Sequence, residues 1–220
     1  MSYAIIEGGE SRSFPPGDAF LASAVSLDHA EVVIYLGGAR PTADKIAAHA
    51  GKTAVLVELG RESLGYHTGE AMGGEGSAML GFARYRNGGD APSPLVELVR
   101  QPHTPPEALA AAKAVFEAAG LTVAVCADQA GRIIDRLVRP KYNAALRLLD
   151  EGLATQRDID LTCRLGLGYA DGPIERTVHG GLAHHHDVTR ALFETYGTPG
   201  YAPARRAVVA AQRRDDEGAE

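Results

Sequence analysis

Short apolar runs separated by polar turns fill the first 128 residues of the chain. The runs lie at residues 3–6, 31–36, 53–59, 78–85, 95–100 and 121–127. Between them, residues 15–25, 41–50, 64–72 and 105–119 have the spacing of helices. This alternation of apolar strands and helices predicts a mostly parallel sheet covered by helices on both faces.

From residue 131 onward the strand pattern stops and helical spacing takes over. Gly152 is placed to end a first helix, Thr155 to cap the next, and Gly172-Pro173 to stop that segment. We therefore expect an α/β domain over residues 1–128, a helical domain over 129–212 and an acidic, unordered tail over 213–220.

The composition of the chain excludes some classes of binding partner. The 220 residues are 45% hydrophobic and 23% charged, and the net charge of −6 argues against nucleic acid or an anionic membrane. No run of 18 apolar residues and no basic start followed by an apolar stretch occurs, so neither a membrane span nor a secretory signal is expected. The cytoplasm is the default compartment, and Cys126 and Cys163 are expected to be buried reduced thiols.

The order of motifs after residue 131 resembles the substrate domain of 3-hydroxyacyl-CoA dehydrogenases. In that family a Gly-Phe-x-x-Asn-Arg helix is followed by an Asn-Glu-Ala segment, an Asp-Ile-Asp turn and a Gly-Pro stop. The counterparts here are Gly131, Asp135-Arg136, Asn143-Ala144-Ala145, Gly152-Leu153-Ala154, Asp158-Ile159-Asp160, Gly166 and Gly172-Pro173.

The resemblance covers about residues 30–205. The run 30–35 is similar to the family's Ala-Asp-x-Val-Ile-Glu strand, and residues 196–203 are similar to a late Tyr-Gly-x-x-x-Tyr-x-Pro motif. The latter is typical of the abbreviated second half of duplicated members, including those of aromatic-acid catabolism. The resemblance implies a CoA thioester ligand from fatty acid or aromatic-acid breakdown and a homodimer formed through the helical domain.

A dinucleotide site needs a strand, a Gly-x-Gly-x-x-Gly turn and an acidic residue for the ribose. Gly8-Gly9 has the wrong spacing, is flanked by Glu7 and Glu10, and is most simply a turn. The segment before Val32 is too short for a whole nucleotide-binding half. We therefore expect a truncated Rossmann-like domain, assign no cofactor, and regard NAD binding in the ordinary mode as disfavoured.

When the family's catalytic residues are matched to positions of this sequence, the dehydrogenase reaction is put in doubt. The histidine base corresponds to Ala83, its glutamate partner is kept as Glu97, and the asparagine has become Asp135. The serine corresponds to either Glu62 or Ser63. Two roles for Glu97 and Asp135 stay open. They form a carboxylate pair for proton transfer, or Glu97 lies on an edge strand and Asp135 pairs with Arg132, Arg136 or Arg139.

The run His184-His185-His186 suggests a metal site, but successive helical residues point about 100° apart. We expect no metal there and solvent-facing histidines instead.

The candidates for contacts with a bound thioester are Arg136, Tyr169 and His179. Three functions follow: a CoA-thioester enzyme with a degraded NAD site and base, a non-catalytic dimerising or acyl-CoA-binding subunit that supports another pathway enzyme, and a non-redox hydratase or isomerase using Glu97 and Asp135.

Overall fold

A computed structural model describes residues 1–70 and 75–218 of the chain. It divides into two compact units. The sheet unit contains residues 1–86 and 91–132, and the helical unit contains residues 87–90 and the chain from Ile133 onward. The units divide at Arg132, a few residues after the boundary expected at residue 128.

The sheet unit is built on six strands in sequential order. These are β1 (Tyr3–Glu7), β2 (Val32–Leu36), β3 (Ala54–Glu58), β4 (Met79–Arg84), β5 (Leu95–Arg100) and β6 (Thr122–Ala127). Strands β1 to β4 are parallel, β5 is antiparallel to β4, and β6 is parallel to β5. The mostly parallel sheet predicted from the apolar runs is confirmed.

Helices of the sheet unit are α1 (Ala19–Ala22), α2 (Ala43–Ala48), α3 (Gly65–Thr68) and α4 (Pro106–Ala118), with a 3₁₀ turn at Leu27–His29. All five residues of β2 are buried. Its alternate residues enter two cores, with Ile34 in the one that contains Phe116 and Tyr35 in the one that contains Leu64. Strands buried on both faces explain why these runs are uniformly apolar.

The helical unit contains α5 (Ile134–Asp150), α6 (Gln156–Leu167), α7 (Pro173–His179), α8 (Leu182–Tyr196) and α9 (Arg205–Glu217), with a 3₁₀ turn at Pro199–Tyr201. Leu146, Ile159 and Ile174 belong to its apolar core. The predicted cap of α6 is present, because the Thr155 side chain accepts the backbone N–H of Asp158. An all-helical second domain is thus confirmed.

Several expectations about the ends of elements were wrong. The first helix is only four residues long, because the N–H of Val25 donates to the Tyr3 carbonyl and draws the chain back to β1. Residues 213–217 are helical rather than an unordered tail, and Arg214 pairs with Asp187 at 2.8 Å.

Other expectations fall partly outside what is described. The predicted helix 64–72 is observed as Gly65–Thr68, and residues 71–74 and 219–220 lie outside the described residues. Cys126 and Cys163 are free but partly exposed rather than buried. Over residues 1–70 and 75–218, no helix has the length and apolar character needed to cross a bilayer.

Candidate functional site

The carboxyl ends of β1, β2 and β3 meet at one edge of the sheet, where Glu58 ties two loops together. One carboxylate oxygen accepts the Ser11 hydroxyl at 2.9 Å and the Ser13 backbone N–H at 2.8 Å. The other accepts the Gly37 backbone N–H at 2.8 Å. Glu58 therefore holds the loops that follow β1 and β2, a role that the sequence analysis did not identify.

The glycines beside Glu58 are needed because these two loops touch. A Cβ on Gly37, whose φ is 59°, would lie 1.9 Å from the Gly9 carbonyl oxygen. A Cβ on Gly8 would lie 2.6 Å from the backbone nitrogen of Ala39. Gly8 and Gly37 are thus explained by the contact between the loops.

A cleft of about 280 Å³ opens beside these loops, lined in part by Arg40, Glu58, Glu62 and His67. Burial alone would raise the pKa of Glu62, but the nearby His67 imidazole and the backbone N–H groups of Glu62 and Gly60 lower it to about 2. The neighbouring candidate Ser63 lies in the turn into α3, where its carbonyl accepts the Tyr66 N–H.

The catalytic candidate Glu97 is buried in the sheet unit. It lies on β5, opposite Ala83 of β4, and β5 also pairs with β6, so the edge-strand placement was wrong. Arg132 Nε lies 3.3 Å from Glu97 Oε2, and the two side chains are only 7% and 3% exposed. Arg132, which the sequence analysis considered only as a partner for Asp135, also donates to the Gly60 carbonyl.

Asp135 belongs to the helical unit, in the first turn of α5. Arg139 Nε donates to it at 2.8 Å, so its pairing with a nearby arginine is the arrangement found. Arg139 Nη1 in turn lies 3.3 Å from His185 Nδ1, and His185 Nε2 lies 2.9 Å from Asn143 Oδ1. Asp135 therefore lies at one end of a chain of polar contacts inside the helical unit.

His185 corrects the expectation of solvent-facing histidines, because it is only 1% exposed. Burial lowers its pKa to about 3, and the positive charge of Arg139 acts in the same direction. Within the described residues, no group of three or more His, Cys, Asp or Glu side chains is arranged to hold a metal ion.

The three candidates for thioester contacts each have a partner in the helical unit. The Arg136 guanidinium lies over the Tyr196 ring at 4.6 Å, and the Lys141 ammonium lies over the Tyr169 ring at 4.1 Å. His179 Nε2 lies 2.7 Å from Asp90 Oδ1. Asp90, like Glu58, was missed because its partner is remote in sequence.

Comparisons with known proteins find similarity mainly in the second half of the chain. The model of the 3-hydroxyacyl-CoA dehydrogenase C-terminal domain matches residues 131–218. A 3-hydroxybutyryl-CoA dehydrogenase of Mycobacterium tuberculosis is 34% identical over 112 residues, which is 50% of this chain and 39% of that protein. An L-carnitine dehydrogenase of Pseudomonas is 41% identical over 76 residues, 34% of this chain and 24% of that protein.

The fold has counterparts among solved structures. The (S)-3-hydroxybutyryl-CoA dehydrogenase of Ralstonia eutropha superposes with a TM-score of 0.68 at 24% identity, covering 83% of this chain and 66% of that one. The sequence matches thus span well under half of the two curated relatives. Residues 131–218 thus match the C-terminal domain of 3-hydroxyacyl-CoA dehydrogenases, and the chain is similar in fold to a member of that family.

Proposed function

We propose that this chain binds a CoA thioester of acyl-CoA or aromatic-acid breakdown and does not act as an NAD-dependent dehydrogenase. The observation that carries the proposal is the contact between Glu97 and Arg132 opposite Ala83. A dehydrogenase of this family needs a proton acceptor at the position of Ala83. Here an alanine stands there, and the remaining carboxylate is neutralised by a guanidinium.

Support for the thioester comes from the relatives. The mycobacterial relative is named for a 3-hydroxybutyryl-CoA substrate. The Pseudomonas relative is named for L-carnitine, which is not a thioester. The names of the relatives therefore do not all imply a thioester. That this chain binds one is a specific claim, which binding measurements can refute.

The residues at the sheet edge do not fit NAD in the ordinary mode. Such a site places the pyrophosphate against a glycine turn and the N-terminus of the helix that follows. Here the contact between loops fills the space beside Gly8, and α1 begins only at Ala19, with the Asp18 carboxylate already accepting the Phe20 N–H. Among the described residues β1 pairs only with β2, so no strand lies on its other side. No step through NAD is therefore proposed.

The hydratase or isomerase alternative draws less support. Glu97 contacts Arg132 and Asp135 contacts Arg139, each with both side chains largely buried. Each of these carboxylates is therefore engaged by a guanidinium within its own unit. The pairing of Glu97 with Asp135 across one cleft remains a prediction.

A dimerising role has a specific observation in its favour. Leu161 and Leu165 lie about one turn apart on the same face of α6 and are 42% and 80% exposed. Large apolar side chains grouped on a surface mark contact sites between proteins. We therefore include a homodimer formed through α6 in the proposal, and another pathway enzyme as the alternative partner.

Calorimetric titrations of the purified chain test this function. Acetoacetyl-CoA, free CoA and NADH are each titrated alone, and NADH is then titrated in the presence of acetoacetyl-CoA. We expect saturable heat with acetoacetyl-CoA and none with NADH under either condition. Heat with NADH would overturn the proposal that the chain does not act as an NAD-dependent dehydrogenase. Equal binding of acetoacetyl-CoA and free CoA would show that the acyl group is not recognised. Absence of heat with both CoA compounds would refute the thioester.

A further inference from the structure

His179 and Asp90 form a close imidazole–carboxylate pair in the helical unit. His179 is the last residue of α7, and Asp90 lies in the connection between β4 and β5. Their atoms Nε2 and Oδ1 are 2.7 Å apart, compared with 3.2 Å for His186 and Asp187. A carboxylate only accepts, so Nε2 carries the proton and Nδ1 is the basic nitrogen.

The loop that carries Asp90 is fixed on the end of α7. Asn87 Nδ2 donates to the Arg176 carbonyl at 3.1 Å, and Asn87 is only 8% exposed. A Cβ on Gly88 would lie 2.5 Å from the His179 carbonyl oxygen, and one on Gly180 would lie 2.4 Å from Asn87 Oδ1. Glycine at both positions allows the loop and the helix end to touch, which sets Asp90 beside the imidazole.

The pair opens onto a pocket of about 250 Å³, whose lining is Asn87, Asp90, Asp171, Glu175, Arg176 and His179. Each carboxylate of that lining has a basic partner. Asp171 contacts Arg176, Glu175 contacts Arg164, and Asp90 contacts His179. The pocket is therefore not a purely anionic surface that would repel a thioester.

Accessibility separates His179 from the chain's buried histidines. Its side chain is 57% exposed. In contrast, His49 and His185 are 6% and 1% exposed, and the His67 side chain is 4% exposed. An oriented imidazole that a small molecule can reach has the arrangement of a general base.

We propose that His179, positioned by Asp90, is a general base that removes a proton from the α carbon of a CoA thioester. The inference rests on the thioester proposed above. The Cα–H bond breaks, the proton moves to Nδ1, and the electron pair of that bond passes to the thioester oxygen as an enolate. Return of a proton from the imidazolium to the carbon restores the thioester and the neutral imidazole, so no oxidant or further reactant is needed. Asp90 is a positioning residue that fixes the tautomer and stabilises the imidazolium.

Exchange of the α protons of acetyl-CoA in D₂O, followed by NMR, tests this step. We expect exchange with the unmodified chain and a loss of roughly 100-fold or more in His179→Gln. His103→Gln, which changes an exposed histidine of the sheet unit, serves as the matched control and is expected to keep the full rate. Added imidazole is expected to restore exchange in His179→Gly, which a structural role would not produce. Asp90→Asn is expected to slow exchange and Asp90→Glu to recover part of it.

Calorimetric titration of the same samples with acetyl-CoA separates the two proposals. Binding without exchange, or exchange that is unchanged in His179→Gln, would overturn the role of His179 and leave the thioester proposal standing. No binding of acetyl-CoA or acetoacetyl-CoA would remove the thioester proposal and this inference with it.

Discussion

Ala83 and Glu97 are directly opposed residues of the antiparallel β4–β5 pair. A methyl group therefore faces a buried carboxylate, and the positive charge beside that carboxylate comes from Arg132, 35 residues further along the chain. An ion pair therefore holds the Glu97 carboxylate at the position that faces Ala83.

Arg132→Met is expected to destabilise the sheet unit by about 3–5 kcal/mol, because it removes the positive charge beside the buried Glu97 carboxylate. The double change with Glu97→Gln is expected to recover much of the loss. Chemical denaturation measures both, and Arg100→Met, at an exposed position of the same strand as Glu97, is the control. A loss below about 1 kcal/mol in Arg132→Met would contradict the account.

Gly37 and Gly38 offer a matched pair for the loop contact beside Glu58. Both have positive φ, 59° and 77°, but only Gly37 faces the Gly9 carbonyl, and nothing lies near a Cβ on Gly38. Gly38→Ala is expected to cost about 1–2 kcal/mol of backbone strain, and Gly37→Ala clearly more. Thermal unfolding compares them, and equal losses would show that the loops do not need the contact.

The stability of the helical unit is expected to fall in acid because of His185. Its pKa in the folded chain is about 3, below the usual 6.5, so the unfolded chain binds more protons between these values. The contribution is complete above pH 6.5 and is lost as the pH falls toward 3. Burial also lowers the pKa of His49, which gives the sheet unit a pH dependence of the same sign.

Urea denaturation at a series of pH values measures this loss. His185→Gln is expected to reduce the loss of unfolding free energy as the pH falls. His103→Gln, at an exposed histidine, is expected to leave that loss unchanged. A variant of His185 that keeps the full pH dependence would show that other groups cause it.

Leu165→Glu is expected to convert a homodimer into monomers with little change in the stability of the fold. Leu165 is 80% exposed, so its replacement leaves no cavity in the core, but a charge at an apolar interface opposes association. Sedimentation velocity gives the mass of each form. Val209→Glu, at a 40% exposed position on α9, is the control. A chain that is monomeric before any change would refute the dimer.

The strands were predictable from sequence because each is an apolar run bounded by turn residues. The burial of His185 was also present in the sequence as a signal, since it lies with Val188, Thr189 and Leu192 at spacings of three, four and seven along one buried face. Reading the three histidines as a cluster hid that pattern. Their helical phase places His185 within that buried face.

The ion pair of Glu97 and the contacts of Glu58 were not predictable in the same way. Both depend on segments far apart in sequence, and spacing along a chain carries no information about which loops meet. The family resemblance assigned Glu97 a role through its sequence position. Only the fold revealed that Arg132 lies beside it.

The most direct measurement is oxidation of NADH by the purified chain in the presence of acetoacetyl-CoA, followed by absorbance. The account predicts a rate equal to that of buffer, because Ala83 supplies no proton acceptor and the sheet edge does not fit the dinucleotide. A rate that rises with protein concentration and saturates with NADH would contradict it, and the chain would then be an NAD-dependent dehydrogenase with a base other than the residue at position 83.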